Sequence, residues 1–161
     1  MATHWIWKAA IAGFCGSAAH MLLMYLKSRI GLLPAFQPYD TLQAVLGRVM
    51  GSQVHPIIPW MVSFLNGSIV LGFCFGRIYP WLPGNSGAAK GLTFGIFGWA
   101  LMGFVFFPLL GLGIFATKLS LGIEPALFSL AMVLTYSVVL GTVYAALNSW
   151  HTTAPTRAGP E

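Results

Sequence analysis

Apolar positions in this chain gather into four long blocks rather than alternating with polar ones. Residues 9–26, 49–76, 91–117 and 125–156 hold no charged side chain. A helix needs about 20 mostly apolar residues to cross the hydrocarbon core of a bilayer. In lipid every backbone N–H and C=O must find its partner within the protein, which favours helices. A small transmembrane barrel would need polar residues at alternate positions, and none appear. The pattern predicts an all-α four-helix transmembrane bundle with spans over 6–27, 57–79, 89–116 and 125–149. Both termini then lie on one side of the membrane, side A, with the 28–56 and 117–124 connections on the other, side B. The first block reads as a retained span: Trp5 and Trp7 flank Lys8, and apolar character runs to Leu26 before Lys27 and Arg29. A cleavable signal has a shorter apolar core and a small-residue cleavage site.

The 28–56 connection carries its own pattern. After Pro34 and Pro38, "YDTLQAVLGRVMG" places Leu42, Val45, Leu46, Val49 and Met50 at helical spacing. A short interfacial helix over about 40–50 is expected, capped by Asp40 or Thr41 and stopped at Gly51. Its apolar stripe suits the membrane interface or the bundle mouth. The tail 151–161, "HTTAPTRAGPE", is polar and proline-containing and reads as flexible.

An internal repeat fits the spans. Residues 68–79, "SIVLGFCFGRIY", laid on 133–144, "VLTYSVVLGTVY", match at Gly76/Gly141 and Tyr79/Tyr144, with small residues at Gly72/Ser137. "KAAIAGFCGSA" at 8–18 laid on "KGLTFGIFGWA" at 90–100 matches at Lys8/Lys90, Gly13/Gly95, Gly16/Gly98 and Ala18/Ala100. The offsets are 65 and 82 residues, a difference the loops must absorb. Each unit is a helical hairpin, so the bundle is expected to comprise two parallel hairpin repeats about an axis along the membrane normal. Gly72, Gly76, Gly91, Gly95, Ser137 and Gly141 form small stripes that let helix backbones approach in lipid. Pro108 falls within the third predicted span, where it is expected to kink the helix and free a carbonyl.

Composition sharpens this picture. The 161 residues are 57% hydrophobic and 7% charged, with a mean hydropathy of +0.79; a soluble domain carries about 25% charged residues. A water-soluble enzyme, a disordered regulator and a disulfide scaffold are excluded as readings. Trp5, Trp7, Tyr79, Trp81 and Trp150 fall near side A and Tyr39 and Trp60 near side B, as interfacial aromatic belts do. Orientation is a tie: Lys8, Arg77, Lys90 and Arg157 on side A balance Lys27, Arg29, Arg48 and Lys118 on side B. The net charge of +5 reflects interfacial basic residues, and no basic cluster with interleaved aromatics suggests nucleic acid.

"YDTLQAVLGRVMG", "WMVSFLNGSIVLGFCFGRIY", "KGLTFGIFGWALMGFVFFPLLG" and "SVVLGTVY" together resemble a family of small, uncharacterised four-span bacterial membrane proteins. The resemblance covers roughly residues 8–147 and implies location in the bacterial cytoplasmic membrane; it brings no established activity. The family often has a histidine early in the second span, where this chain has Asn66 and no histidine between Ser63 and Ser68.

Candidate chemistry is sparse. His20 is the one imidazole within a predicted span, with Met21 beside it and Met24 on the same helix face four residues on. A soft metal can use such ligands, and a haem iron could take His20 with His55; a neutral structural histidine and a proton relay are the other readings. His4 and His151 fall near side A. Cys15 and Cys74 read as small apolar residues. Asp40 and Glu124 are the acids away from the C-terminus, and Glu124 suits a helix N-terminus. No cofactor is expected, haem being the alternative. The sequence points to a non-enzymatic accessory subunit in contact with lipid and with other membrane subunits or copies of itself. The alternatives are a small transporter or channel working as a homo-oligomer and a haem-bearing electron-transfer subunit.

Overall fold

The computed structural model describes residues 4–149, and Trp150, His151 and the 151–161 tail lie outside them. Four helices are long and apolar enough to cross a membrane: α1 (His4–Ile30), α3 (Ile57–Trp81), α4 (Gly87–Leu109) and α5 (Glu124–Ser149). A fifth, α2 (Pro38–Met50), lies in the first connection. The described residues contain no strand. Four long apolar helices support an integral membrane location, and their even number fits termini on one side. Lys8 Nζ donates to Asn148 Oδ1 at 2.8 Å, so the start of α1 lies beside the end of α5.

α1 and α5 are uninterrupted α-helices, whereas α3 and α4 are not. α3 turns π-helical over Asn66–Leu71 and ends in a 3-10 turn at Tyr79–Trp81; α4 is π-helical over Met102–Phe106. The second π segment directly precedes Pro108, whose missing N–H disrupts the regular ladder. Pro108 lies within α4 but one residue from its end, because the span ends at Leu109 rather than 116. The chain breaks there because Gly111 (φ 80°) and Gly113 (φ 79°) turn left-handed. The following 3-10 segment, Ile114–Leu119, is itself broken by positive φ at Phe115 and Ala116.

α2 also begins differently from its expected start. Pro38 occupies its first turn and Gln37 its cap position, without a side-chain cap. Proline's fixed φ starts the helix, and the Thr41 hydroxyl instead donates to the Gln37 carbonyl at 3.1 Å. Gly51 ends it in the left-handed region.

The helices pack in the order α3, α1, α5, α4. α1 packs on α3 and α5, and α5 packs extensively on α4. Small residues set these approaches. A Cβ on Gly72 would stand 2.8 Å from the Ala9 carbonyl and 3.2 Å from Gly13 Cα. A Cβ on Gly91 would run into the Ser137 carbonyl, and one on Gly141 would meet the Gly87 carbonyl and Gly91 Cα. The core between the hairpins joins Phe75, Tyr136, Leu140 and Tyr144, with Tyr79 tilted against Tyr144, ring centroids 4.7 Å apart.

Two lysines read as span boundaries are buried. Lys8 is 5% exposed, through its bond to Asn148. Lys27 is 2% exposed. Its ammonium donates to the Phe36 carbonyl at 2.6 Å, the Leu33 carbonyl at 3.4 Å and Gln37 Oε1 at 3.3 Å, and lies near the Phe36 and Phe128 rings. A second core, around Phe36, Phe107, Leu110, Leu112 and Ala116, seals this end of the bundle.

Candidate functional site

The side B half of the bundle encloses a chamber of about 630 Å³, within the range of small-molecule sites. All four spans and α2 line it. Phe94, Phe106, Phe107 and Phe128 supply much of its wall, with Met24 and Met132. No Asp, Glu, Lys or Arg lines it.

Its mouth lies between α3 and α4. Val62 and Asn66 of α3 and Leu101, Val105, Phe106 and Leu109 of α4 line the chamber while remaining exposed. These two helices pack only sparsely. Toward side A they meet through Phe75 and Phe94, ring centroids 5.2 Å apart, and through Lys90, whose ammonium donates to the Tyr79 carbonyl at 2.8 Å. The gap therefore faces the position a bilayer's hydrocarbon would occupy.

α2 forms the side B rim through Pro38, Tyr39 and Leu42. Tyr39 hydrogen-bonds Ser63 Oγ at 3.1 Å and packs on Trp60 at 4.4 Å between ring centroids, which pins α2 to α3. Burial pushes the Tyr39 phenol above its ordinary pKa, so it stays neutral.

Most polar groups in the wall are paired within the protein. Ser17 Oγ donates to the Phe64 carbonyl at 3.4 Å, the Tyr136 hydroxyl to the Gly67 carbonyl at 2.6 Å, and Ser129 Oγ to the Ala126 carbonyl at 2.9 Å. His20 is half-buried in the wall and hydrogen-bonds the Met132 main chain. Ser137 is 1% exposed, yet its hydroxyl has no partner.

The sequence candidates are only partly assembled. His20, Met24 and Ser137 share the chamber wall, but His55 does not join them. It is exposed at the start of α3, where its Nδ1 accepts from the Ile57 N–H at 3.3 Å. The His20–His55 pair suggested for a haem iron thus does not converge on the chamber. Among the described residues no group of three or more His, Cys, Asp or Glu gathers. Cys15 is half-buried and Cys74 exposed, both free thiols. Gly72, Gly76, Gly91, Gly95 and Gly141 stand at helix contacts, and Pro108 near the end of α4.

A model for a family of unknown function, DUF6789, matches residues 3–154, nearly the whole chain. The chain belongs to that family. No curated protein and no solved structure matches this DUF6789 member.

Sequence reasoning named Asn66 only as the stand-in for a family histidine, and named neither Phe94 nor Tyr39 as lining a site. Gly98 was visible only as a repeat match. A Cβ there would meet a single atom, Val133 Cγ1, at 3.9 Å. Its bare face is part of why the chamber exists.

Proposed function

We propose that this DUF6789 protein is a non-catalytic accessory protein of the bacterial cytoplasmic membrane that takes a lipid-soluble small molecule into the side B chamber through the α3/α4 gap. The observation carrying this reading is the chamber's apolar wall and its mouth between two sparsely packed spans. An apolar cavity of this size is costly to leave to water and suited to an apolar ligand.

The internal repeat gives the chamber a cause. In the two-hairpin reading Gly72 and Ser137 are equivalent, as are Gly13 and Gly95. Gly72 meets Gly13 across α1/α3, and Ser137 meets Gly95 across α4/α5. Likewise Gly76 meets Ala9 and Trp5, while Gly141 meets their equivalents Gly91 and Gly87. Lys8 reaches Asn148, and Lys90 reaches Tyr79, each crossing to the other hairpin. The equivalence then fails at one place. The Tyr136 ring covers Gly16, but the residue equivalent to Tyr136 is Leu71, which leaves Gly98 bare. The α1/α5 seam is filled and its α3/α4 counterpart gapes.

The test uses protein in phosphatidylcholine vesicles and a bromine-tagged decanol, whose bromine quenches tryptophan on contact. Parent protein is expected to show saturable quenching, and Gly98→Phe and Leu71→Tyr only a weak linear component. Linear quenching in the parent, or unchanged saturation in both variants, overturns the reading. Self-association or docking to other membrane subunits is compatible with it, since the large apolar side chains Phe97, Leu101 and Phe104 face outward.

A further inference from the structure

We propose that the chamber's occupant is the ring of a neutral lipid-phase quinone or quinol, a planar head with two oxygens on an apolar tail. This rests on the reading of the chamber as a lipid-facing binding site and names its ligand class.

Three features select the head group. The first is charge. With no charged side chain in the wall, an ionised phosphate or carboxylate would lose its hydration without a counter-charge, a large penalty in an apolar medium. The occupant must be neutral. The second is shape. Phe94, Phe106, Phe107 and Phe128 come from α4 and α5, and the sulfurs of Met24 and Met132 from α1 and α5. Aromatic faces and polarizable thioethers favour a flat conjugated ring over a bare alkyl chain.

The third is the placement of unpaired polar groups. Asn66 stands exposed at the mouth, in the π segment of α3, and its carboxamide has no hydrogen-bond partner among the described residues. Ser137 of α5 stands at the back of the wall, its unpaired hydroxyl buried against Gly95 in the α4/α5 contact. Gly67, next to Asn66, accepts from the hydroxyl of Tyr136, next to Ser137. The two unpaired groups therefore flank one α3–α5 contact. His20 adds a third: a neutral imidazole has two hydrogen-bonding nitrogens, and one is engaged by the Met132 main chain. The Asn66 amide N–H is a donor for a quinone oxygen, and an imidazole nitrogen can accept from a quinol hydroxyl. Asn66 also opens the π segment of α3, and such segments recur at functional sites.

The experiment is isothermal titration into protein held in phosphatidylcholine nanodiscs, with empty nanodiscs as the blank. The probes are a decyl-tailed benzoquinone, decanol and decyl phosphate. The benzoquinone is expected to saturate one site at least about tenfold more tightly than decanol, and decyl phosphate not to bind. Asn66→Leu should weaken the benzoquinone roughly five- to tenfold, as loss of one hydrogen bond does, and leave decanol unchanged. Gly98→Phe should remove both; its folding is checked by helix content and monodispersity, and Gly98→Leu is the smaller alternative. Equal affinity for benzoquinone and decanol, with no effect of Asn66→Leu, overturns the quinone assignment and leaves the lipid-facing site standing. Tightest binding by decyl phosphate overturns it too. Absence of any saturable binding overturns both readings.

Discussion

Lys27 shows how one side chain can organise a connection. A lysine is almost never fully buried unless paired, and this one has no carboxylate within hydrogen-bonding distance. Carbonyl oxygens of Leu33 and Phe36 and the Gln37 amide take its protons instead. These acceptors come from the loop leading into α2, so the ammonium fixes where α2 starts. Lys27→Met keeps the bulk of the stem but leaves the Phe36 carbonyl without its donor, at a cost of about 1–3 kcal/mol. Hydrogen exchange should then quicken over residues 38–50 while α1 and α5 stay protected. Unchanged exchange in α2 would show that Tyr39 and Trp60 suffice to hold it.

Among the helices, the α4/α5 contact is the most extensive, and Gly91 is one of its crowded points, with Gly87 and Gly141. Gly91 lies nearer a span end than Gly76, which by itself would favour tolerance of a larger side chain. The structure reverses this: a Cβ there collides with backbone of Ser137 and Val138, which cannot rotate away, whereas at Gly76 the nearest atoms belong to side chains. Gly91→Leu should cost at least the 1–3 kcal/mol typical of overpacking. Gly98→Leu, two turns further along α4 where a Cβ meets only Val133 Cγ1 at 3.9 Å, should leave the melting temperature near that of the parent. Similar melting of both variants would mean that α4 slides freely on α5. The four helices themselves were readable because span length and absence of charge are local properties of the chain. The end of α4 was not, because it depends on left-handed φ at Gly111 and Gly113, and glycines recur inside all four apolar runs without ending them. The chamber was not readable either. Phe94 lines it and Phe97 faces outward, yet both are phenylalanines in an apolar run.

Taken as one body, the bundle brings the start of α1 and the end of α5 to one face, since Lys8 and Asn148 are joined. Reporter fusions at residues 3 and 158 should report the same compartment, and one near residue 37 the opposite one. Opposite compartments for the two ends would refute the four-span arrangement. Rigidity is expected to be uneven. α1 and α5 are continuous and closely packed, while α3 and α4 each carry a π segment and face each other across the gap. Exchange in protected amides should therefore be slowest along α1 and α5 and faster around Asn66–Leu71 and Met102–Phe106.

The sideways mouth has a bearing on how tightly anything need be held. A molecule entering between α3 and α4 arrives already dissolved in hydrocarbon, so its chemical potential is set by its mole fraction among the lipids and not by its aqueous concentration. Transfer from bilayer to chamber exchanges one apolar surrounding for another and gains little from dehydration. Selectivity must then come from the few polar groups that lipid tails cannot offer. A site of modest intrinsic strength would stay filled wherever its ligand is an abundant lipid, and would empty in step with that ligand's dilution in the membrane.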